Sequence, residues 1–283
     1  MKWKICLGFI VLFSIVQISG QECDTAEECY TTGVELYSEG KSEEAIEYLR
    51  MAVELDATHL DATILLGNIL YNLERFDEAL VYYENAVQLQ PEEEYHWYYV
   101  GLTLNMLQRP SEALTYLEKA LEINDRFKCA WYEKGYAYML LEQYDKGIEC
   151  YDKAIEIDPS DPWMHFVKGD ALARTAQYEE AVESFEAALS LNEDFAEAYA
   201  EKGYALMNSG KYDEALQNVE KALELDPENE VAKTYKQEIQ EKMGEAQEPP
   251  EEPPEEPEEA GISISILLVL IGFLAVFILR RPR

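Results

Sequence analysis

Basic residues are scarce in this chain: 23 Lys and Arg stand against 57 Asp and Glu, a formal net charge of −34. Such a balance repels nucleic acid and anionic lipid head groups, because phosphates are held by clusters of Lys and Arg. The only basic clusters lie at the two ends. Histidine is scarcer still, and His59, His96 and His165 are too far apart for any two to stand at ligand spacing on one helix. No metal or other cofactor is expected. The glycines form no phosphate-cradling loop, and carboxylates, though plentiful, form no recognisable acid–base pair. Without a catalytic constellation, an enzyme is not expected. The acidity reads first as solubility and charge repulsion.

Glycine is also infrequent, 14 residues in all, yet six of them fall at a strict interval of 34: Gly33, Gly67, Gly101, Gly135, Gly169 and Gly203. Nineteen residues after each comes an alanine, Ala52, Ala86, Ala120, Ala154, Ala188 or Ala222. Twelve after each comes another small residue, Ala45, Ala79, Ala113, Gly147, Ala181 or Ala215. Sixteen after each comes a larger apolar side chain, Leu49, Tyr83, Leu117, Tyr151, Phe185 or Val219. Small residues at matched positions let two helices approach closely, and the larger ones fill the space between. Spacings of 3, 4 and 7 within each half are helical. A fixed period of this length marks a repeat array.

With these residues the chain resembles the tetratricopeptide repeat (TPR) family. The family's position four before the glycine holds Trp97, Trp131 and Tyr199, and its closing proline appears as Pro91, Pro159 and Pro227. Elsewhere these positions hold other residues, among them Cys29, Thr63 and His165. The resemblance covers 26–229 as six units: 26–59, 60–93, 94–127, 128–161, 162–195 and 196–229. It implies an all-α chain, a right-handed α-solenoid of six helix-turn-helix units. Turns are expected near Gly40, Arg75, Arg109, Gln143, Gln177 and Gly210. Residues 230–244 form one more helix with polar outer positions, as a terminal cap requires.

The ends predict an address. Residues 1–20 place Lys2 and Lys4 before an apolar run, the layout of a secretory signal peptide, with an uncleaved N-terminal anchor as the alternative. A short segment, 21–25, leads into the array. At the other end, 262–279 is an uncharged apolar stretch read as a transmembrane helix, followed by a basic cytoplasmic tail at 280–283. Between cap and apolar stretch lies an acidic Pro/Glu linker, 245–261, expected to be extended. Together these predict a single-pass cell-membrane protein with its repeats on the extracytoplasmic side. In that setting Cys23 and Cys29 could pair as a disulfide, while Cys129 and Cys150 are expected to be buried thiols.

Beside the core positions, a second apolar stripe runs along the first helices at six and three residues before each glycine and one and four after it. The family resemblance implies that these helices line a concave groove for peptides. The expected partner-binding residues are Tyr30, Asn68, Tyr95, Tyr98, Tyr132, Tyr136, Trp163 and Phe166. Tyrosine suits such use, with a large apolar face and a hydroxyl for hydrogen bonding. The same side chains could instead pack against the neighbouring first helix. The basic residues with which one subgroup of the family captures acidic chain ends are missing; matching positions hold Tyr30, Val34, Leu65, Cys129 and Glu133. The expected function is a membrane-tethered scaffold gripping an apolar or aromatic segment of a protein partner. The alternative is a structural envelope protein whose arrays associate with themselves as a homo-oligomer. Runs of Tyr and Glu also resemble repeat proteins of methanogenic archaea, which implies an archaeal envelope.

Overall fold

A computed structural model describes residues 23–247. Among the described residues there are thirteen α-helices and no strand. Six are first helices: α1 (Ala26–Ser38), α3 (Leu60–Asn72), α5 (Glu94–Met106), α7 (Lys128–Leu140), α9 (Pro162–Arg174) and α11 (Ala196–Asn208). Six are second helices: α2 (Ser42–Leu55), α4 (Phe76–Leu89), α6 (Pro110–Ile123), α8 (Tyr144–Ile157), α10 (Tyr178–Leu191) and α12 (Tyr212–Leu225). The last is α13 (Glu230–Gln247). The chain divides into two units, 1–237 and 238–283, with the boundary inside α13. In the first unit each of α1 to α12 packs on its neighbour in sequence within that series, so the core is built between successive helices.

The periodic residues explain that stacking. Each repeat glycine lies where a β-carbon would collide with the large side chain sixteen residues on: with Leu117 Cγ at 2.5 Å for Gly101, and with Tyr151 Cε1 at 2.6 Å for Gly135. The alanines nineteen after each glycine are all fully buried. At the position four before the glycine, the indoles of Trp97 and Trp131 donate to the carbonyls of Pro91 and Asp125, each at 2.8 Å. These tryptophans therefore fasten the loop that enters their own helix.

The turns fall near the expected positions, with the left-handed residue at or one before each. Gly40, Glu74, Gln108, Glu142, Ala176 and Gly210 all have positive φ. The next residue's N–H bonds back to the carbonyl five before it, as in Lys41 to Leu36 and Arg75 to Leu70. This is a Schellman closure repeated once per unit. Only two of the six positions carry glycine, so glycine alone does not mark the turn.

Ion pairs repeat as well. Lys134, Lys168, Lys202 and Lys236 reach back to Glu118, Asp152, Glu186 and Glu220 on the preceding second helix. The lysines are half-buried and their carboxylates exposed, and pairs open to solvent on one side contribute about 1 kcal/mol each at most. They nevertheless tie the few cations to the side of the array away from the aromatic stripe.

The ends need correction. Among the described residues no helix is long and apolar enough to cross a membrane, so the expected single-pass membrane localisation is not sustained. The segments on which it rested, 1–20 and 262–279, lie outside the described residues, as does the tail 280–283. α13 runs through Gln247, so 245–247 of the segment expected as a linker are helical, and the rest of that segment lies outside the described residues. Cys23 and Cys29 are joined by a disulfide that pins the start of α1. Cys150 is buried, its thiol pushed up to about 11 by burial, but Cys129 is exposed rather than buried. It sits in the first turn of α7, on a different side of the helix from the buried Ala130 that follows it.

Candidate partner-binding face

The eight residues expected to bind a partner divide by exposure. Tyr95 and Trp163 stand out, at 52% and 44% exposed. Tyr30, Asn68, Tyr98, Tyr132, Tyr136 and Phe166 are half-buried. Most of them pack as well as face outward, which the one-helix pattern could not decide. Tyr98 contacts Phe127 at 5.1 Å and Tyr99 at 5.3 Å between ring centres, and Tyr99 stacks on Tyr83 at 5.1 Å. Phe166 contacts Phe195 at 5.0 Å and Phe185 at 5.8 Å. Tyr132 lies 6.0 Å from Tyr151 between ring centres. The Asn68 carbonyl accepts from the Tyr83 hydroxyl at 2.8 Å, joining first helix to second. Tyr136, unlike the other rings of the set, stands outside these aromatic contacts.

Two residues missed by the sequence reading complete the pattern. Phe127 and Phe195 sit at the N-caps of α7 and α11, eight residues before the repeat glycine. Phe127 meets Tyr95 at 4.7 Å as well as Tyr98, and Phe195 meets Trp163 at 6.1 Å as well as Phe166. The trio Tyr95, Tyr98, Phe127 therefore recurs as Trp163, Phe166, Phe195, two repeats along the chain. At the corresponding positions of the first unit stand Glu27, Tyr30 and His59; Tyr30 packs on His59 at 4.9 Å, and His59 lies 3.4 Å from Glu27. The aromatic shelves recur every second repeat. The signal is in the sequence, at an interval twice the glycine period.

The two helices that carry the first shelf, α5 and α7, also share a buried polar pair. Asn105 of α5 donates through Nδ2 to the Glu133 carboxylate at 2.8 Å and to the Glu133 carbonyl at 3.0 Å. Glu133, in α7, is only 6% exposed, and burial pushes its carboxyl up to about 7, the Asn105 bond acting the other way. Asn105 is fully buried, and its carbonyl oxygen has no hydrogen-bond partner among the described residues. Two repeats on, Glu201 is half-buried; its carboxyl is likewise raised by burial, and it accepts from Tyr235 at 3.3 Å.

An open cleft of about 570 Å³ lies elsewhere, at the junction of α7 and α8, lined by Trp131, Lys134, Tyr138, Lys146, Glu149 and Cys150 among others. None of the expected partner-binding residues lines it. Among the described residues no group of three His, Cys, Asp or Glu side chains is placed to hold a metal ion.

Models of the tetratricopeptide repeat match residues 60–126, 129–161 and 166–230. A model of anaphase-promoting complex, cyclosome, subunit 3 matches 18–86. Among solved structures, MamA from Desulfovibrio magneticus RS-1 is 25% identical with a TM-score of 0.57, over 62% of this chain and 99% of its own. YrrB, described as a TPR protein with an unusual peptide-binding site, is 23% identical with a TM-score of 0.55, over 67% of this chain and 97% of its own. PilW, a type IV pilus biogenesis factor, is 17% identical with a TM-score of 0.65, over 75% of this chain and 99% of its own. A comparison with curated proteins finds no match.

Proposed function

Since this chain belongs to the tetratricopeptide repeat family, we propose that it is a protein-binding scaffold whose first-helix face grips an apolar, aromatic-bearing segment of a protein partner. Repeat arrays of this family generally bind rather than catalyse, and the reading takes a binding role. One observation carries the finer part: Tyr95 and Trp163 remain exposed although each has a phenylalanine against it. A ring held on one face and bare on the other presents a rigid surface that loses little entropy on binding. An extended or helical segment laid across the first helices would cover both.

The test uses full-length protein beside a Tyr95→Ser, Trp163→Ser variant. These two are chosen over Tyr98 and Phe166 because their exposed rings contribute least to the core. A partner captured by the wild type and lost by the variant, with thermal unfolding unchanged, supports the aromatic face. A partner held equally by both moves binding to another surface. Capture of nothing but further copies of the chain favours self-association.

A further inference from the structure

The seam between α5 and α7 holds more acceptors than donors. With Glu133 ionised, the seam holds its carboxylate and the Asn105 carbonyl, which has no partner, and the only donor between them is the Asn105 NH₂ group. No Lys or Arg of the first helices answers Glu133, because each is engaged elsewhere. Lys134, Lys168 and Lys202 pair with the second helices, Lys128 with Asp158 and Asp161, and Arg174 with Asp170. Tyr98 and Tyr132 lie close enough to Glu133 for its charge to act on their hydroxyls. Burying a carboxyl beside an unpaired carbonyl is costly, and the cost falls when a ligand supplies donors.

We propose that this seam is the subsite for one cationic side chain, Lys or Arg, of the bound segment, with Glu133 as counter-charge, Asn105 as second acceptor and the Tyr98 and Tyr132 rings as walls. The inference rests on the first-helix face being the binding face. An ammonium or guanidinium is donor-only, which matches a site in surplus of acceptors. Its alkyl stem can lie along the tyrosines while the head reaches the carboxylate, and aromatic faces attract cations. The chain's net charge of −34 favours such a segment's approach.

A displayed random peptide library, panned on the full-length protein, tests this. The expected winners combine aromatic or large apolar residues with a Lys or Arg at one fixed place. Replacing that Lys by norleucine in a synthetic winner should weaken binding about tenfold or more, the size of a lost charge-assisted hydrogen bond. In Glu133→Gln, whose side chain matches the neutral carboxyl in shape, the same replacement should make little difference. Winners that are apolar without a basic preference, or a Lys whose replacement costs the same in Glu133→Gln, overturn the subsite and leave the aromatic face standing. Winners that also bind the Tyr95→Ser, Trp163→Ser variant unchanged, or no winners, overturn both. The norleucine comparison needs no protein variant, so a loss well below tenfold overturns the subsite even if Glu133→Gln fails to fold.

Discussion

Replacing Gly101 by alanine sets two effects against each other. Helix propensity alone favours alanine by about 1 kcal/mol, since glycine has the larger backbone entropy to lose. Packing opposes it. The added methyl would stand 2.5 Å from Leu117 Cγ, 2.7 Å from Cδ2 and 3.3 Å from Cδ1. Leu117 is fully buried, with Ala113 and Ala120 buried on the same helix, so it has no open space to retreat into. Overfilling a packed core costs about 1–3 kcal/mol. The expected net is a loss of roughly 1 kcal/mol, read from urea unfolding followed by circular dichroism. A double-mutant cycle isolates the collision. Leu117→Ala alone should cost about 2–5 kcal/mol, and at least about 1 kcal/mol less in the Gly101→Ala background, where the added methyl already occupies part of the emptied space. Gly40→Ala serves as a contrast: its φ is 79° and nothing lies within 4 Å, so its loss is backbone strain that no partner change relieves. If Gly101→Ala stabilises the protein, or the cycle is additive, the close approach is not why glycine stands there.

Three further outcomes follow from the geometry. Glu74, Gln108, Glu142 and Ala176 hold φ near 57–59°, so Ala176→Gly should raise stability by about 0.5–1 kcal/mol, and a fall in the urea midpoint would refute the strain. Phe127→Ala removes a buried ring from Tyr95 and Tyr98 and should cost about 3–5 kcal/mol by the same unfolding assay; a cost below about 1 kcal/mol would mean the shelf collapses around the gap. Glu133 makes stability pH-dependent. Its carboxyl is raised from 4.5 to about 7 in the folded state, so its contribution is full below about 4.5 and is lost as pH rises through 7. The loss amounts to about 3 kcal/mol. Tyr71, Tyr98, Cys129, Tyr132 and Tyr151, which feel its charge, are all raised by burial and titrate above that window. Measured from pH 4.5 to 7, the wild type should fall relative to Glu133→Gln, and parallel curves would refute the assignment.

The helices were legible because their cause is local and repeated: a glycine, a filler sixteen residues later, and alanines where the helices touch. The turns were less legible because hydrogen bonds, not residue type, hold the left-handed position, and Ala176 occupies it as well as Gly40 does. The binding face was read only in part. Tyr95, Tyr98, Trp163 and Phe166 fit a helical spacing, but Phe127 and Phe195 precede their helices and join the shelf through the chain's entry into the next repeat. Glu133 was visible only as a substitution for an expected basic residue. Its partner Asn105 is 28 residues away on another first helix, a relation that spacing within one helix cannot express.

The two-repeat interval has a consequence for any ligand. Taking about 8–10 Å for each step between first helices, the Tyr95 and Trp163 shelves, two steps apart, are separated by roughly 16–20 Å. An extended chain covers that distance in about five or six residues. Glu133 lies on the first helix between the shelves. Under the proposed reading, a bound segment therefore anchors two apolar side chains about five or six residues apart and turns a cation placed between them into the α5–α7 seam, nearer the Tyr95 anchor. Library winners with a basic residue at either end of the apolar pair, rather than between its members, would contradict that placement.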